Sequence, residues 1–426
     1  MNLDPAVMAD PFPLYRRLRA AGPVHRVTLP NGRSVWLVTR YEEARAALAD
    51  PRLSLDKRSA APGTWSGFGL PPALDANLLN MDPPDHTRIR RLIAAAFTPR
   101  RVESLRGRVQ ATVDECLDRV ADRLAGNAGA AGQGRAELVA ELALPLALTT
   151  MGELIGVAAE DRRDFRTWTG VLVAQETGQP ADLAAAVGNI YRYFAGLVAR
   201  KRTAPRSLSE RRQANDRQEP ADDLMSALVA ARDDEDRLSE DELISAAWLT
   251  TFAGNENTIR GIVNGILALL TNPQALAHLR AHPQTLSAAV EELMRYDGPA
   301  QLGIRRFALQ DLTIGDVTVR AGDAVMVAIA CANRDERRFA DPDTLDPTRT
   351  DNQHLAFGNG IHYCFGAPLA RLEAEVAIGT LLRRFPDLTL AVPEAELRWQ
   401  LSIRSRDLIE LPVRQLTPAA DSRSTR

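Results

Sequence analysis

One cysteine in this chain of 426 residues lies in a setting that could perform metal chemistry. Cys364 follows Gly358 and Gly360, and it precedes Gly366 and a helix-forming run that begins at Ala367. A helix N-terminus carries partial positive charge and free N–H groups, which favour the thiolate form of a nearby cysteine. Glycines let the backbone turn tightly and approach a flat group closely. A thiolate on such a loop suits haem iron, although a lone cysteine beside a glycine-rich turn is more often a buried structural residue.

The complete loop pattern favours the metal ligand over the structural cysteine. Residues 357–366 read Phe-Gly-Asn-Gly-Ile-His-Tyr-Cys-Phe-Gly, and a match to Phe-x-x-Gly-x-His-x-Cys-x-Gly is improbable by chance. This segment resembles the cysteine-loop signature of the cytochrome P450 family, the haem-thiolate monooxygenases. The resemblance implies that Cys364 is the axial ligand of haem b, and that Phe357, Gly358 and Gly366 contact the haem.

Segments in the same chain order as the family extend this resemblance over nearly the whole sequence. His86 and Arg90 are four residues apart, share a helical face and resemble the family's haem-propionate segment. Arg306 and His362 correspond to further propionate partners, since buried carboxylates need cationic or N–H groups. The alternative for these four residues is a scattered set of solvated surface cations.

Residues 253–258, which read Ala-Gly-Asn-Glu-Asn-Thr, resemble the family's oxygen-binding segment. Small residues such as Ala253 let dioxygen and substrate approach the helix backbone. The family's first threonine is replaced by Asn257, and Thr258 is rotated by about 100° on a regular helix, so it cannot simply substitute. The resemblance implies that Glu256, Asn257 and Thr258 are catalytic, with Glu256 supplying protons through water and Asn257 orienting that water or the oxygen. Alternatively, Asn257 only fills space in a bent helix.

Two further sets of residues follow from the family resemblance. Glu292 and Arg295 form a Glu-x-x-Arg pattern, which alone is common on exposed helices, and Arg338 is expected to complete a buried structural network with them. The substrate-pocket candidates are Trp65 and Phe68 in a Gly/Pro-rich lid or packed surface loop, Val171 and Ala174 on the roof, Ala253 on the long helix, Ala300, Gln301 and Leu302, and Leu401, Ser402 and Ile403.

The elements that must position these residues are mostly helices. A capping box at Ser239 and Glu242 begins a long helix that is predicted to end at residue 270, before Asn272 and a proline. Hairpins are predicted at 24–38, around Asn-Gly, and at 312–319; further strands are predicted at 388–392 and 408–413. The resemblance implies a mainly α fold with small β-sheets, the triangular haem-thiolate fold, as a single domain over residues 1–415 with a disordered tail at 416–426.

Composition limits the possible partners and the compartment. A net charge of −3 argues against nucleic-acid binding, and the three cysteines form no disulfide framework, so a cytoplasmic location is expected. The sequence contains no run of about 18 apolar residues, so no membrane association is expected. No Gly-x-Gly-x-x-Gly pattern follows a strand, which indicates that electrons come from another protein.

The expected function is therefore reductive activation of dioxygen and oxidation of a small organic substrate, most plausibly a natural product. The resemblance implies a ferredoxin and a ferredoxin reductase as electron donors. The docking face is expected at Arg88, Arg91, Arg100 and Arg101, which could equally be ordinary solvated arginines. Two alternatives are oxidative coupling, with C–C, C–N or C–O bond formation, and a haem-based sensor or electron carrier.

Overall fold

The computed structural model confirms the expected mainly α fold with small β-sheets. It describes residues 1–62, 64, 72–94, 97–126, 134–162, 164, 167–168, 180–203, 223–232, 238–400 and 402–415. The helices in these ranges are α1 Phe12–Ala21, α2 Tyr41–Ala49, α3 Pro72–Asp75, α4 Asp85–Ala94, α5 Pro99–Ser104, α6 Arg106–Gly126, α7 Leu144–Ile155, α8 Pro180–Thr203, α9 Leu224–Arg232, α10 Glu240–Thr271, α11 Pro273–Ala281, α12 Leu286–Asp297, α13 Ile329–Ala332 and α14 Ala367–Arg384.

Helix α10 passes through the largest hydrophobic core and contacts α3, α7, α12 and α14. Its 32 residues correspond to a length of about 48 Å. The predicted capping box is present, because the Ser239 side chain accepts from the Glu242 N–H and the Glu242 carboxylate accepts from the Ser239 N–H. Apolar residues cover most of its circumference, which fits a helix surrounded by others.

The strands form one five-stranded sheet and three smaller sheets among the described residues. The larger sheet has the order β1 Val24–Thr28, β2 Ser34–Val38, β8 Ala324–Val327, β5 Arg306–Ala308 and β3 Leu53–Ser54. Only the pairing of β2 with β8 is parallel in this sheet. The smaller sheets join β6 Leu312–Ile314 to β7 Val317–Val319, β10 Trp399–Gln400 to β11 Asp407–Leu408, and β4 Ala136–Glu137 through β12 Pro412–Gln415 to β9 Leu388–Leu390.

Both predicted hairpins are confirmed, whereas the predicted strand at 408–413 is divided between two sheets. The residues between β11 and β12 have other hydrogen-bond partners. The Ile409 N–H donates to the Arg398 carbonyl, and the Leu411 N–H donates to a Glu137 carboxylate oxygen. The apolar run at 408–413 therefore contributes residues to two strands, β11 and β12, which lie in different sheets.

The remaining predictions concern a membrane span, the C-terminal tail and the substrate pocket. In the described ranges, no helix combines the length and the apolar character that a membrane crossing requires. The predicted tail at 416–426 lies outside the described residues. So do five of the pocket candidates, namely Trp65, Phe68, Val171, Ala174 and Leu401.

Candidate active site

The cysteine loop is held by its own backbone and by close packing against α2. The Cys364 N–H donates to the Phe357 carbonyl at 2.8 Å, which closes the loop. Gly358 and Gly360 have φ angles of +78° and +75°, in the left-handed region that favours glycine. A Cβ atom on Gly360 would lie 2.9 Å from Cα of Ala49, so a larger residue would push the loop away from α2.

Cys364 is the one exposed thiol of the three cysteines, all of which lie in the described ranges. Desolvation by the surrounding protein atoms is the largest effect on this thiol and raises the pKa of Cys364 above its usual value, although the residue is exposed. The N–H groups of Gly366 and Ala367 and the Arg90 guanidinium lower the pKa of the same thiol. The other two thiols are buried, and burial raises the pKa of Cys331 to about 12. Cys364 is thus the accessible thiol, and the charges around it favour a thiolate.

Four cationic or N–H-bearing side chains, those of His86, Arg90, Arg306 and His362, gather beside this loop. His86 is buried, and neither of its ring nitrogens has a partner in the described ranges; its ring centroid lies 4.2 Å from that of His362. Burial, His86, Arg306 and Arg90 together lower the pKa of His362 to about 3. Burial also lowers the pKa of Arg306 to about 10. In their charged forms these groups would repel one another, so anionic oxygen atoms placed among them would be stabilised.

The predicted oxygen-binding segment lies in the middle of α10. Gly254 packs directly against α7, since a Cβ atom there would lie 2.2 Å from Sδ of Met151. Asn257 is exposed, and its Nδ2 donates to the Ala253 carbonyl of the same helix at 3.2 Å. This contact uses one N–H of the amide, so the carbonyl oxygen Oδ1 is the acceptor that Asn257 can present. Ala253 itself is half-buried next to the core.

The two other predicted catalytic residues face in different directions. Glu256 accepts from Arg260 at 3.0 Å, four residues further along the helix, and Arg260 also pairs with Asp407. Thr258 is buried, and its Oγ1 donates to Oε2 of Glu373 at 3.3 Å. The sequence did not indicate Glu373, because it stands among charged residues on α14. The sequence feature that could have identified Glu373 is its position on the same helical face as Leu369, Leu372 and Val376, where an acid is unusual.

The structural network forms, but with a different third member. Glu292 and Arg295 are fully buried and pair at 2.7 Å. Arg349 pairs with the same carboxylate at 3.1 Å, because the Asp346 N–H donates to Glu292 and brings the following turn against it. The prediction of Arg338 is wrong. That side chain binds Asp351 at 2.6 Å and lies over the rings of Tyr41 and Phe339.

Apart from Ala253, the described pocket candidates come from two segments that are paired in the fold. Gln301 and Leu302 donate their N–H groups to the Arg404 carbonyl, and Ala300 forms a β-bridge with Ser405. Leu302 and Ile403 share a hydrophobic cluster. Gln301 is fully buried, and neither of its amide atoms has a partner in the part of the chain that the structure describes. The adjoining residue Ser402 is half-buried.

Comparison with known proteins agrees with the geometry. A family model for cytochrome P450 matches residues 16–396. The chain belongs to the cytochrome P450 family. This P450 is 44% identical to cytochrome P450 107B1 of Saccharopolyspora erythraea, with 97% of each chain covered. It is also 44% identical to the cytochrome P450 monooxygenase PikC of Streptomyces venezuelae, covering 95% of this chain and 91% of PikC.

Solved structures show the same fold for this P450. The tirandamycin C-bound P450 monooxygenase TamI superposes with a TM-score of 0.84 at 40% identity, covering 98% of this chain and all of the TamI chain. Membership of the cytochrome P450 family identifies the chain as an oxygen-using oxidoreductase. This result favours an enzyme over the alternative of a haem-based sensor or electron carrier. The family's cofactor is haem held by a cysteine thiolate. The accessible Cys364 thiol and the mutually repelling donors around His86 fit that group, with its two carboxylates.

The expected docking arginines differ in their surroundings. Arg88 is half-buried and pairs with Glu242 on α10, as well as with Asp85. Its charge therefore holds α4 to α10. Arg91 and Arg100 are exposed, and Arg101 is half-buried, with no partner for its Nη2 atom among the residues described. The exposed positive charge of this set comes from Arg91 and Arg100.

Proposed function

We propose that this P450 binds haem b through the thiolate of Cys364 and oxidises a small natural product, with electrons from a ferredoxin and its reductase. The observation that carries the proposal is the accessible Cys364 thiol beside two N–H groups and Arg90, in one cluster with His86, Arg306 and His362. Neither ring nitrogen of His86 has a hydrogen-bond partner among the described residues. Bound haem supplies the reductive activation of dioxygen. Each remaining role falls to a side chain of this protein.

Binding of the cofactor is divided between the loop and the cationic cluster. The Cys364 sulphur donates to the iron, while Phe357, Gly358 and Gly366 line the approach to it; a Cβ atom on Gly366 would lie 3.8 Å from this sulphur. The side chains of His86, Arg90, Arg306 and His362 bind the two carboxylates. Burial is the main cause of the lowered pKa of His362, and the carboxylates would offset the smaller contribution from the neighbouring cations.

Proton delivery depends on the segment 253–258. Glu256 holds a carboxyl group at the edge of the groove, anchored by Arg260. Asn257 accepts through Oδ1 and so orients a water molecule or a substrate hydroxyl, while its Nδ2 stays bound to the Ala253 carbonyl. An amide cannot donate and accept through one atom as a hydroxyl does, so Asn257 orients the proton donor and does not itself pass protons on.

The substrate class is proposed from the relatives and the pocket. TamI binds tirandamycin C, and other relatives of this chain include a mycinamicin IV hydroxylase/epoxidase. The described part of the pocket combines apolar Ala300, Leu302 and Ile403 with the unpartnered amide of Gln301, which would recognise one polar group of a largely apolar molecule. Residues Trp65, Phe68, Val171, Ala174, Leu401 and Ser402 are proposed to complete it.

Spectroscopy with three cysteine variants tests this function. Reduced protein with carbon monoxide should show the far-red Soret band of thiolate-ligated haem. Cys364→Ala should lose this band, whereas Cys116→Ala and Cys331→Ala should keep it, because those thiols are buried elsewhere. Retention of the band in Cys364→Ala would refute the assignment.

A screen of natural products for displacement of the haem water, seen as a Soret shift, would then identify substrates. Turnover of a compound found in this way should consume NADPH when a ferredoxin and its reductase are supplied. A product that contains a new oxygen atom supports oxygen insertion. A coupled product without added oxygen supports the alternative of oxidative coupling.

A further inference from the structure

An ion pair joins α12 to α14 beside the cysteine loop. Nε of Arg371 on α14 donates to Oε1 of Glu291 on α12 at 2.6 Å, and Nη2 donates to Oε2 at 2.9 Å. Two parallel bonds of this kind fix the plane of the guanidinium relative to the carboxylate. The side chains of Arg371 and Glu291 are 31% and 28% exposed, so the pair is only partly screened by solvent. It therefore holds a cation in one defined position.

The guanidinium of Arg371 contacts the cysteine loop directly. Its carbon lies 4.6 Å from the centroid of the Phe357 ring, within the range of a cation–π contact. Its Nη2 also donates to the hydroxyl of Tyr363, which precedes Cys364, at 3.3 Å. Phe357 in turn accepts from the Cys364 N–H. Arg371 thus contacts two residues that hold the cysteine in place.

His354 ties the start of the loop to the same carboxylate. Its Nδ1 accepts from the N–H of Ala356 at 3.2 Å, so the ring hydrogen is carried by Nε2. Nε2 donates to Oε2 of Glu291 at 3.2 Å. Glu291 therefore reaches the cysteine loop through His354 and Arg371, whereas Arg371 touches the loop itself. Of the two charges in the pair, the cation is the one nearer to the thiol.

The charge of Arg371 acts on the Cys364 sulphur. Burial is the largest effect on this thiol, and Arg371 is among the groups that oppose it by lowering the pKa of Cys364. Burial would also raise the pKa of Glu291, but hydrogen bonds from Arg371 and His354 lower it to about 2. The carboxylate is thus charged at neutral pH and partly offsets the field of the guanidinium at the sulphur.

We propose that the Glu291–Arg371 pair sets the electrostatic potential at the Cys364 sulphur and thereby the reduction potential of the iron that this thiolate holds. This role deepens the proposed function and rests on it. Both are positioning residues that act through the thiolate. A cation near the sulphur favours the electron added on reduction, and a carboxylate opposes it. The pair keeps the potential between the values that either charge alone would give.

Neutralising each partner separately should shift the midpoint potential in opposite directions. Glu291→Gln can still accept from Arg371 but leaves its charge uncompensated, so the potential should rise. Arg371→Gln leaves the carboxylate uncompensated, so the potential should fall. Each shift should change the equilibrium constant for one-electron reduction by about threefold to tenfold, or about 30 to about 60 mV. Reductive titration of the haem-loaded variants with redox mediators measures these values.

The sign of the shifts separates an electrostatic role from a structural one. Loosening of the loop would shift both single variants in the same direction and the double variant further, and that result would overturn the proposal. The double variant Glu291→Gln/Arg371→Gln should instead lie close to the wild type. Arg371→Lys keeps the charge without the planar fork, so it should lie nearer to the wild type than Arg371→Gln does. A shift as large as that of Arg371→Gln would also overturn the proposal.

A control variant and the carbon monoxide spectrum complete the test. Glu375→Gln neutralises another acid of α14, which pairs with Arg106 at 3.6 Å, and should leave the potential unchanged. All the variants should keep the far-red Soret band, because Cys364 is intact. Loss of this band from the wild type would contradict the proposed function, whereas a normal band with unshifted potentials would overturn only the role of the pair. If Arg371→Gln fails to fold, Glu291→Gln still decides, because a fall or no change in its potential contradicts the proposal.

Discussion

Arg349 donates to the buried Glu292 carboxylate at 3.1 Å and thereby ties the segment before the cysteine loop to α12. Glu292 also pairs with Arg295 and accepts from the Asp346 N–H and from Asn352. One carboxylate thus gathers four donors from two parts of the chain. The loop that presents Cys364 begins only a few residues later, so its position depends on this carboxylate.

Substitutions should distinguish Arg349 from the expected partner Arg338. Arg349→Ala removes a partner of a fully buried carboxylate and should lower the free energy of unfolding by about 3 to 5 kcal/mol. Arg338→Ala breaks a pair whose Asp351 side chain is 71% exposed, so its cost should be about 1 kcal/mol. Urea denaturation of the haem-loaded variants measures both. Equal losses would contradict the assignment of Arg349 as the third member.

Glu373 should make the stability of the protein depend on pH. Burial raises the pKa of Glu373 to about 8, so the folded protein keeps the carboxyl proton up to about pH 8, while the unfolded chain releases it near the ordinary carboxyl pKa of about 4.3. Between these values the folded state binds more protons, so the free energy of unfolding falls as pH rises. The side chain in Glu373→Gln stays neutral at every pH. The free energy of unfolding of this variant should therefore fall less steeply with pH than that of the wild type, by up to about 1.4 kcal/mol per pH unit. Chemical denaturation from about pH 5 to about pH 8 measures this slope, and Glu375→Gln should keep that of the wild type.

Asn257 and Glu256 should affect different steps. Glu256→Gln removes a proton-bearing group and should slow turnover, general acid–base contributions being typically about 10²–10⁴-fold. Asn257→Ala removes the acceptor Oδ1 while leaving Glu256 in place, so it should mainly raise peroxide release per NADPH. Stopped-flow turnover and a peroxide assay measure the two effects. Wild-type rate and coupling in both variants would contradict proton delivery through this segment.

Electron transfer from an acidic ferredoxin should depend on the exposed arginines. Arg91→Glu and Arg100→Glu should each slow reduction at low salt, and rising salt should slow reduction of the wild type, because exposed charges steer such encounters. Arg280→Glu, at an exposed position on α11, is the control and should change little. Reduction measured by stopped-flow in carbon monoxide gives these rates. A rate of reduction that changes neither with salt nor in either charge-reversal variant would exclude this docking face.

Arg88 should behave differently from those two arginines. Its guanidinium pairs with Glu242, which is also the carboxylate of the capping box of α10. Arg88→Glu would place two carboxylates together and should lower the melting temperature, whereas Arg100→Glu should not. A thermal scan of the two variants is sufficient to separate them.

Features set by local sequence were predictable, whereas partners across the fold were not. The capping box at Ser239 and the hairpin turns are local, and they appear where the residue pattern places them. The cysteine loop is also local, since Cys364 bonds back to Phe357. The sequence predicts Arg338 as the third member of the Glu292–Arg295 network, whereas the structure has Arg349. Both arginines follow the helix with the Glu-x-x-Arg pattern, and nothing in the sequence shows which of them turns inward.

Glu373 illustrates the same limit at the candidate site. Its carboxyl group faces Thr258 and Thr150, which come from two other helices. A helix with acids at two nearby positions looks solvated in sequence, and only packing shows that one of them is buried while Glu375 is half-exposed. Periodicity identifies the face of α14, but the pKa of an acid depends on what lies opposite.

Strand β12 has a consequence for the order in which the chain can fold. It pairs with β4 on one side and β9 on the other, so residues 412–415 join segments that lie about 275 and about 25 positions earlier. Such distant pairing delays folding, because the entropy of closing the loop is lost before the contacts form. During synthesis on the ribosome, β4 must wait unpaired until almost the whole chain has emerged. Deletion of residues 412–415 would leave two exposed edges, and the nascent protein would become a target for chaperones and proteases.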